Sequence, residues 1–341
     1  MNFILQLWEA VSGRITPSSS STLSVTQIRH EQRSFNAHVR NRMLTLKQPE
    51  FFGSAYISLN KRWIVGCNDS NGMGTGGFRE HGNGRVILVD MEVDKALHEL
   101  TSFARPTKAA VSDIGNYIVE DTGFGSSLSG NVVAIDIQGR ERYRRSYAAN
   151  VLNIGLSQCG RYAAVQTANA PSTDGNLLEI LDIDRRCIVF SRPPVSGWAD
   201  SYSFEITHDG RLHAVKVKHK ELGDFSYSAS GEFLDIQKYQ EAQLENGNYA
   251  IKLMAARDLL KFEPSQGNAV KALSAANAAL EEGAKDVHDW GAIAHRLRGE
   301  SYELLGQLPE ALAAFDHALL LNPKVGIQKR ATALRKKLMP A

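Results

Sequence analysis

From about residue 50 to residue 238 the chain alternates short, β-rich apolar runs with turns that carry Gly, Asn or Asp. After Gln237 the apolar period becomes that of a helix, and Ala and Leu dominate. The first stretch repeats an anchor: Ser58-Leu-Asn-Lys-Arg-Trp63-Ile-Val, Ser112-Asp-Ile-Gly-Asn-Tyr117-Ile-Val, Ser157-Gln-Cys-Gly-Arg-Tyr162-Ala-Ala-Val and Thr207-His-Asp-Gly-Arg-Leu212-His-Ala-Val. Each copy joins a hydroxyl residue, a tight turn and a strand. Gly115, Gly160 and Gly210 fall where the turn needs positive φ, and Asn60 or Lys61 must serve there in the first copy.

A second anchor follows the first three copies, at Gly84 to Asp90, Gly130 to Asp136 and Gly175 to Asp182. A third strand then begins near His98, Tyr143 and Cys187. The last copy is less regular and is expected to end in a hairpin, Asp224 to Ser228 paired with Glu232 to Ile236. The anchors are separated by 54, 45 and 50 residues. Four strands in a unit of that length resemble the blades of a β-propeller. The Trp-Asp and Gly-His marks of WD40 repeats are missing. The resemblance implies about four to five blades. Leu23 to Lys47, with the strand-like stretch His38 to Leu46, is the segment that would complete or begin another blade. An open arrangement of four repeated sheets is the alternative.

In the last part, helices are expected over Tyr249 to Phe262, Asn268 to Glu282, His288 to Leu305, Pro309 to Leu321 and Ile327 to Leu338, punctuated by Pro264, Gly283, Gly306 and Pro323. Ala292 to Pro323 resembles one tetratricopeptide repeat, through Gly299 and Tyr302 in the first helix, Gly306 at the turn, Ala311, Phe315 and Ala318 in the second helix, and Pro323 at the end. Small residues at these places let two helices approach closely, and the two aromatic residues fill the space beside them. His295 and Arg298 depart from the repeat, which has bulky residues early in its first helix. The preceding helical pair matches only in its second half. The final basic helix reads as a solvated cap.

The expected architecture is therefore mainly β plus α: an N-terminal helix and linker over 1–22, a propeller-like domain over 23–238 and a tetratricopeptide-like helical domain over 239–341. Phe3, Leu5, Leu7 and Trp8 give the N-terminal stretch an amphipathic look, and Ser18 to Ser21 read as a joint. That stretch lacks the basic start of a secretory signal. No run is long and apolar enough for a membrane span.

Composition narrows the function without naming it. The net charge is +2 over 341 residues, which gives no global argument for nucleic acid or an anionic membrane as partner. The three cysteines, Cys67, Cys159 and Cys187, form no CxxC pair, so a reducing, cytoplasmic setting fits best. Gly72 to Gly77 matches GxGxxG, but the pattern of a strand follows it where a nucleotide site needs a helix. Cys67, Asp69 and His81 have no spacing that fixes a nucleophile and its base. His208, His213 and His219 lack zinc-site spacing. No catalytic residue, cofactor or metal site is therefore expected. The loops Asn68 to Asn83, Asp121 to Ser129 and Ala168 to Asp174 join equivalent strands and should share one face. That face would offer Asp69, Asn71, Arg79, His81, Asp121, Asn169 and Asp174 to a protein partner. A non-enzymatic interaction or scaffold protein is the leading expectation. The alternative is an enzyme using Asp69, His81 and Asp121 at the mouth of a propeller.

Overall fold

A computed structural model describes residues 35–338 except 74 and 78. The expected N-terminal helix and the serine joint lie outside the described residues. Four antiparallel sheets follow one another along the chain. The first contains β1 (Ala37–Arg40), β2 (Met43–Leu46), β3 (Phe51–Ile57), β4 (Trp63–Asn68), β5 (Gly84–Asp90) and β6 (Lys95–Phe103). The second contains β7 (Pro106–Val111), β8 (Tyr117–Asp121), β9 (Gly130–Ile135) and β10 (Glu141–Tyr147). The third contains β11 (Val151–Leu156), β12 (Tyr162–Thr167), β13 (Leu178–Asp182) and β14 (Cys187–Arg192), and the fourth contains β15 (Ser201–Ile206), β16 (Leu212–His219) and β17 (Gly223–Ser228). Within each sheet, strands neighbouring in sequence pair with one another, as in propeller blades.

The repeated anchor builds the turn between the first two strands of each blade-like unit. Gly115, Gly160 and Gly210 have φ of 83°, 73° and 77°, and Lys61 takes the same role at 62°. The hydroxyl closes the turn. Ser58 Oγ accepts from Trp63 N at 3.0 Å, and Ser157 Oγ accepts from Tyr162 N at 2.9 Å. Thr207 Oγ1 accepts from Arg211 N at 3.2 Å, whereas Ser112 Oγ donates to Asn116 O at 2.8 Å.

Between the sheets lie three cores. Trp63, Val65 and Leu88 of the first meet Tyr117, Val119 and Val133 of the second. Ile118, Val132 and Ala134 of the second meet Ala163, Val165 and Leu181 of the third. Tyr162, Ala164 and Ile180 of the third meet Val215, Val217 and Phe225 of the fourth. The strands β8, β9, β12 and β13 are thus covered on both faces. This is why their sequences run continuously apolar and do not alternate.

Residues 35–47 do not open a fifth sheet. The hairpin β1–β2 instead extends the first sheet by pairing with β3. Its Leu44 and Leu46 cover that sheet's outer face together with Phe51, Ile64, Ile87 and Val89. Gly66 makes the room: a Cβ there would lie 2.6 Å from Phe51 Cε1 and 2.8 Å from Leu44 Cδ2. At the other end, the expected strand Glu232 to Ile236 is reduced to a single bridge between Tyr227 and Phe233. The chain turns instead into α1 (Ile236–Glu245), the helix that the sequence reading lacked. Tyr239 and Ala242 of α1 join the fourth sheet's core, where Tyr239 meets Phe225 edge-on at 5.1 Å. Tyr239 also meets Phe233 edge-on at 5.7 Å. No core cluster joins the first and fourth sheets among the described residues.

The helical region continues with α2 (Tyr249–Phe262), α3 (Gln266–Glu281), α4 (His288–Leu304), α5 (Leu308–Leu321) and α6 (Gln328–Leu338). Asn248 caps α2 through Ala250 N and Ile251 N, and Ser265 caps α3 through Asn268 N. An alanine-rich core, with Ala269, Ala272, Ala276 and Ala279 at 0% exposure, packs α2, α3 and α4 closely.

Candidate functional site

The three expected loops do lie between equivalent strands, but most of their singled-out side chains hold the loops themselves. Asp69 accepts from Gly77 N at 2.8 Å. Asn71 accepts from Met73 N at 2.9 Å. Arg79 is buried, donates to the carbonyls of Asp69 and Ala104, and stands over the Phe124 ring. It thereby ties the first of these loops to the second. Asp121 is buried and accepts from Arg105 N at 2.7 Å and Ala104 N at 3.1 Å. Asp174 accepts from Ala148 N at 2.8 Å and Arg145 Nη2 at 3.1 Å. His81 and Asn169 are the exposed members of the set. Beside them on these loops, Met73, Phe124 and Leu128 are exposed apolar residues.

The opposite ends of the same sheets carry a feature the loop argument missed. A concavity of about 590 Å³ opens where β3, β7, β11 and β15, one strand from each sheet, run into the repeated turns. Ile57 of β3, Val111 of β7, Leu156 of β11 and Phe204 and Ile206 of β15 line it. A second hollow, of about 510 Å³, continues from it over Val39, Ile64 and Met91, and shares Ile57 and Leu59. Leu59 is 71% exposed and Ile57 49% exposed. The polar lining is partly engaged: Asp113 Oδ1 accepts from Asn60 N at 2.8 Å, and its carbonyl accepts from Trp63 Nε1 at 3.1 Å. The sequence did hold a signal, because Leu59 and Ile114 are large apolar residues inside turns whose other members are polar or Gly. Both are exposed.

Asp69, His81 and Asp121 line neither hollow. Cys67 is 2% exposed within β4, and burial, assisted by the nearby Glu120 carboxylate, pushes its thiol upward. It is thus held as a neutral core residue, unlike an activated thiolate. The loop containing Gly72 runs into β5 and opens no helix. Among the described residues, no group of three His, Cys, Asp or Glu side chains is placed to hold a metal. Nor is any helix among them long and apolar enough to cross a membrane.

In the helical region the repeat-like residues meet. A Cβ on Gly299 of α4 would lie 2.3 Å from Phe315 Cδ1 of α5, so the absent side chain is what seats the ring. Phe315, Ala311 and Ala318 are at 0% exposure. Tyr302 packs against the same cluster. Gly306 turns the chain at φ 78°, and Pro323 follows the α5 cap residue Asn322.

No family model matches the chain. No curated protein matches it either. Among solved structures, it is similar to a chain of "Crystal Structure of Mitotic Checkpoint Complex", at 11% identity and TM-score 0.36, covering 58% of this chain and 60% of that one. It is also similar to the Neurospora crassa Pan2 WD40 domain, at 10% identity and TM-score 0.33, covering 56% of this chain and 58% of that one. The chain thus spans less than two thirds of the length of each. At that level of identity and superposition, the likeness says nothing of what the chain binds.

Proposed function

We propose that this chain is a non-enzymatic interaction protein whose β-sheet region receives a partner protein at the turn end of its four sheets. The observation that carries this reading is the concavity framed by β3, β7, β11 and β15, where Ile57, Leu59, Val111, Leu156, Phe204 and Ile206 form an apolar part of the lining and Leu59 and Ile57 are exposed. Exposed apolar side chains gathered around a hollow are costly in water, and such patches mark interaction sites. A partner loop presenting one or two aliphatic or aromatic side chains fits that lining. Affinity capture with the full chain and its Leu59→Glu variant tests it. A partner retained by wild type and lost with Leu59→Glu supports the reading. Equal recovery by both sinks it.

The loop end is the second reading, favoured by the exposure of Met73, Phe124 and Leu128 around His81. Its binding set would be Asp69, Asn71, Arg79, His81, Asp121, Asn169 and Asp174, with the buried members acting by shaping the loops. Met73→Asp would then abolish capture where Leu59→Glu does not. We further infer that α4 and α5 form a tetratricopeptide-type hairpin, supported by the seating of Phe315 against Gly299. In this reading the helices brace the sheets through α1 and offer a surface to a second segment of partner protein.

A further inference from the structure

Two side chains depart from the tetratricopeptide pattern, and the structure brings them together. His295 and Arg298 stand on α4 where the repeat has bulky residues. Arg298 Nη1 lies 3.4 Å from His295 Nδ1. From α5, His317 brings its ring centroid to 4.8 Å from that of His295. The two groups brought against His295 here, Arg298 and His317, are both bases. The guanidinium has no carboxylate partner among the described residues, and its Nε is buried without a hydrogen bond. The acids of the same helix are engaged elsewhere: Asp289 accepts from Asn322 Nδ2 at 2.9 Å, Glu300 from Arg296 Nε at 2.8 Å, and Glu303 from Arg330 Nε at 2.6 Å.

We propose that Arg298, His295 and His317 form a binding site for a compact oxyanion, a carboxylate or phosphate group. A partly buried guanidinium without a counter-charge is an unfavourable arrangement that one bound oxyanion corrects. The planar fork of arginine matches two oxygens of such a group, and imidazole N–H groups can donate to the others. His295 reports on the field at the site. Burial, with the positive charges of Arg298 and His317, pushes its pKa down to about 4. A bound anion reverses the sign of that field, so the ring gains its proton at higher pH. The site is separate from the apolar concavity and stands or falls independently of it.

The test is a histidine-ring NMR titration of the full chain in chloride, in inorganic phosphate and in formate at matched ionic strength. A rise of the His295 midpoint by about one pH unit or more is expected in the oxyanion that binds. A rise in phosphate assigns a phosphoryl source, one in formate a carboxylate source, and a rise in both admits either. The rise is expected to vanish in Arg298→Gln. It should shrink in His317→Ala, an exposed position whose loss does not threaten folding. An unmoved His295 midpoint in both oxyanions, or a rise that persists in both variants, overturns the proposal.

Discussion

At the scale of single residues, the repeated anchor is legible because its chemistry is local. A hydroxyl, a positive-φ position and an apolar strand start occupy consecutive places, and the turn bonds confirm each role. What side chains do across space was less legible. Asp121 and Asp174 accept from backbone N–H groups of neighbouring segments, and a polar residue in a loop carries no mark in sequence of which N–H it will accept from. Glu120 shows the same limit inside a strand. It is 2% exposed, its Oε2 is 3.6 Å from Lys108 Nζ, and burial raises its carboxyl above the usual range although Lys108 opposes this. The folded state then keeps a proton that the unfolded chain has released. That contribution is complete below the unfolded pKa and is lost as pH rises through the folded one. Glu120→Gln fixes the neutral form. Urea midpoints across pH should coincide with wild type in acid and exceed it at neutral pH; a variant less stable at neutral pH would mean that the Lys108 pair dominates.

At the scale of elements, boundaries set by caps and breakers were legible. The α2 helix spans Tyr249–Phe262 as its apolar period predicts and ends before the breaker Pro264. The α1 helix was not legible. Its stretch, Ile236 to Glu245, is polar and short, and Phe233 alternates with polar neighbours like a strand. Its packing is tertiary: Tyr239 and Ala242 join the core around Phe225. Tyr239→Ala should therefore cost about 2 kcal/mol, less than a fully buried aromatic because Tyr239 is partly exposed. Chemical denaturation followed by circular dichroism would read it, and no loss would mean that α1 does not brace the fourth sheet. Within the α4–α5 hairpin, Gly299→Ala pushes a methyl into the Phe315 ring and should cost about 1–3 kcal/mol. Tm against wild type measures it, with Ala311→Gly as a control that creates space and does not overfill it.

At the scale of the whole molecule, four sheets in sequence order were readable from the spacing of the anchors, whereas the treatment of the two ends was not. The spacing counts units and leaves open what covers the first and last. Here the β1–β2 hairpin covers one outer face, and α1 with Phe233 covers the other, as terminal units of repeat arrays do. Loops drew attention to one end of the sheets because insertions there are long. The turn end has short connections, yet one strand from each of the four sheets, β3, β7, β11 and β15, contributes to the hollow there.

Hydrogen exchange of the full chain, alone and saturated with its captured partner, tests the central claim most directly. Protection concentrated in the turns at Ser58 to Trp63, Ser112 to Tyr117 and Ser157 to Tyr162 is the predicted result. Protection confined to residues 68–83 and 121–129, with those turns unchanged, would contradict it.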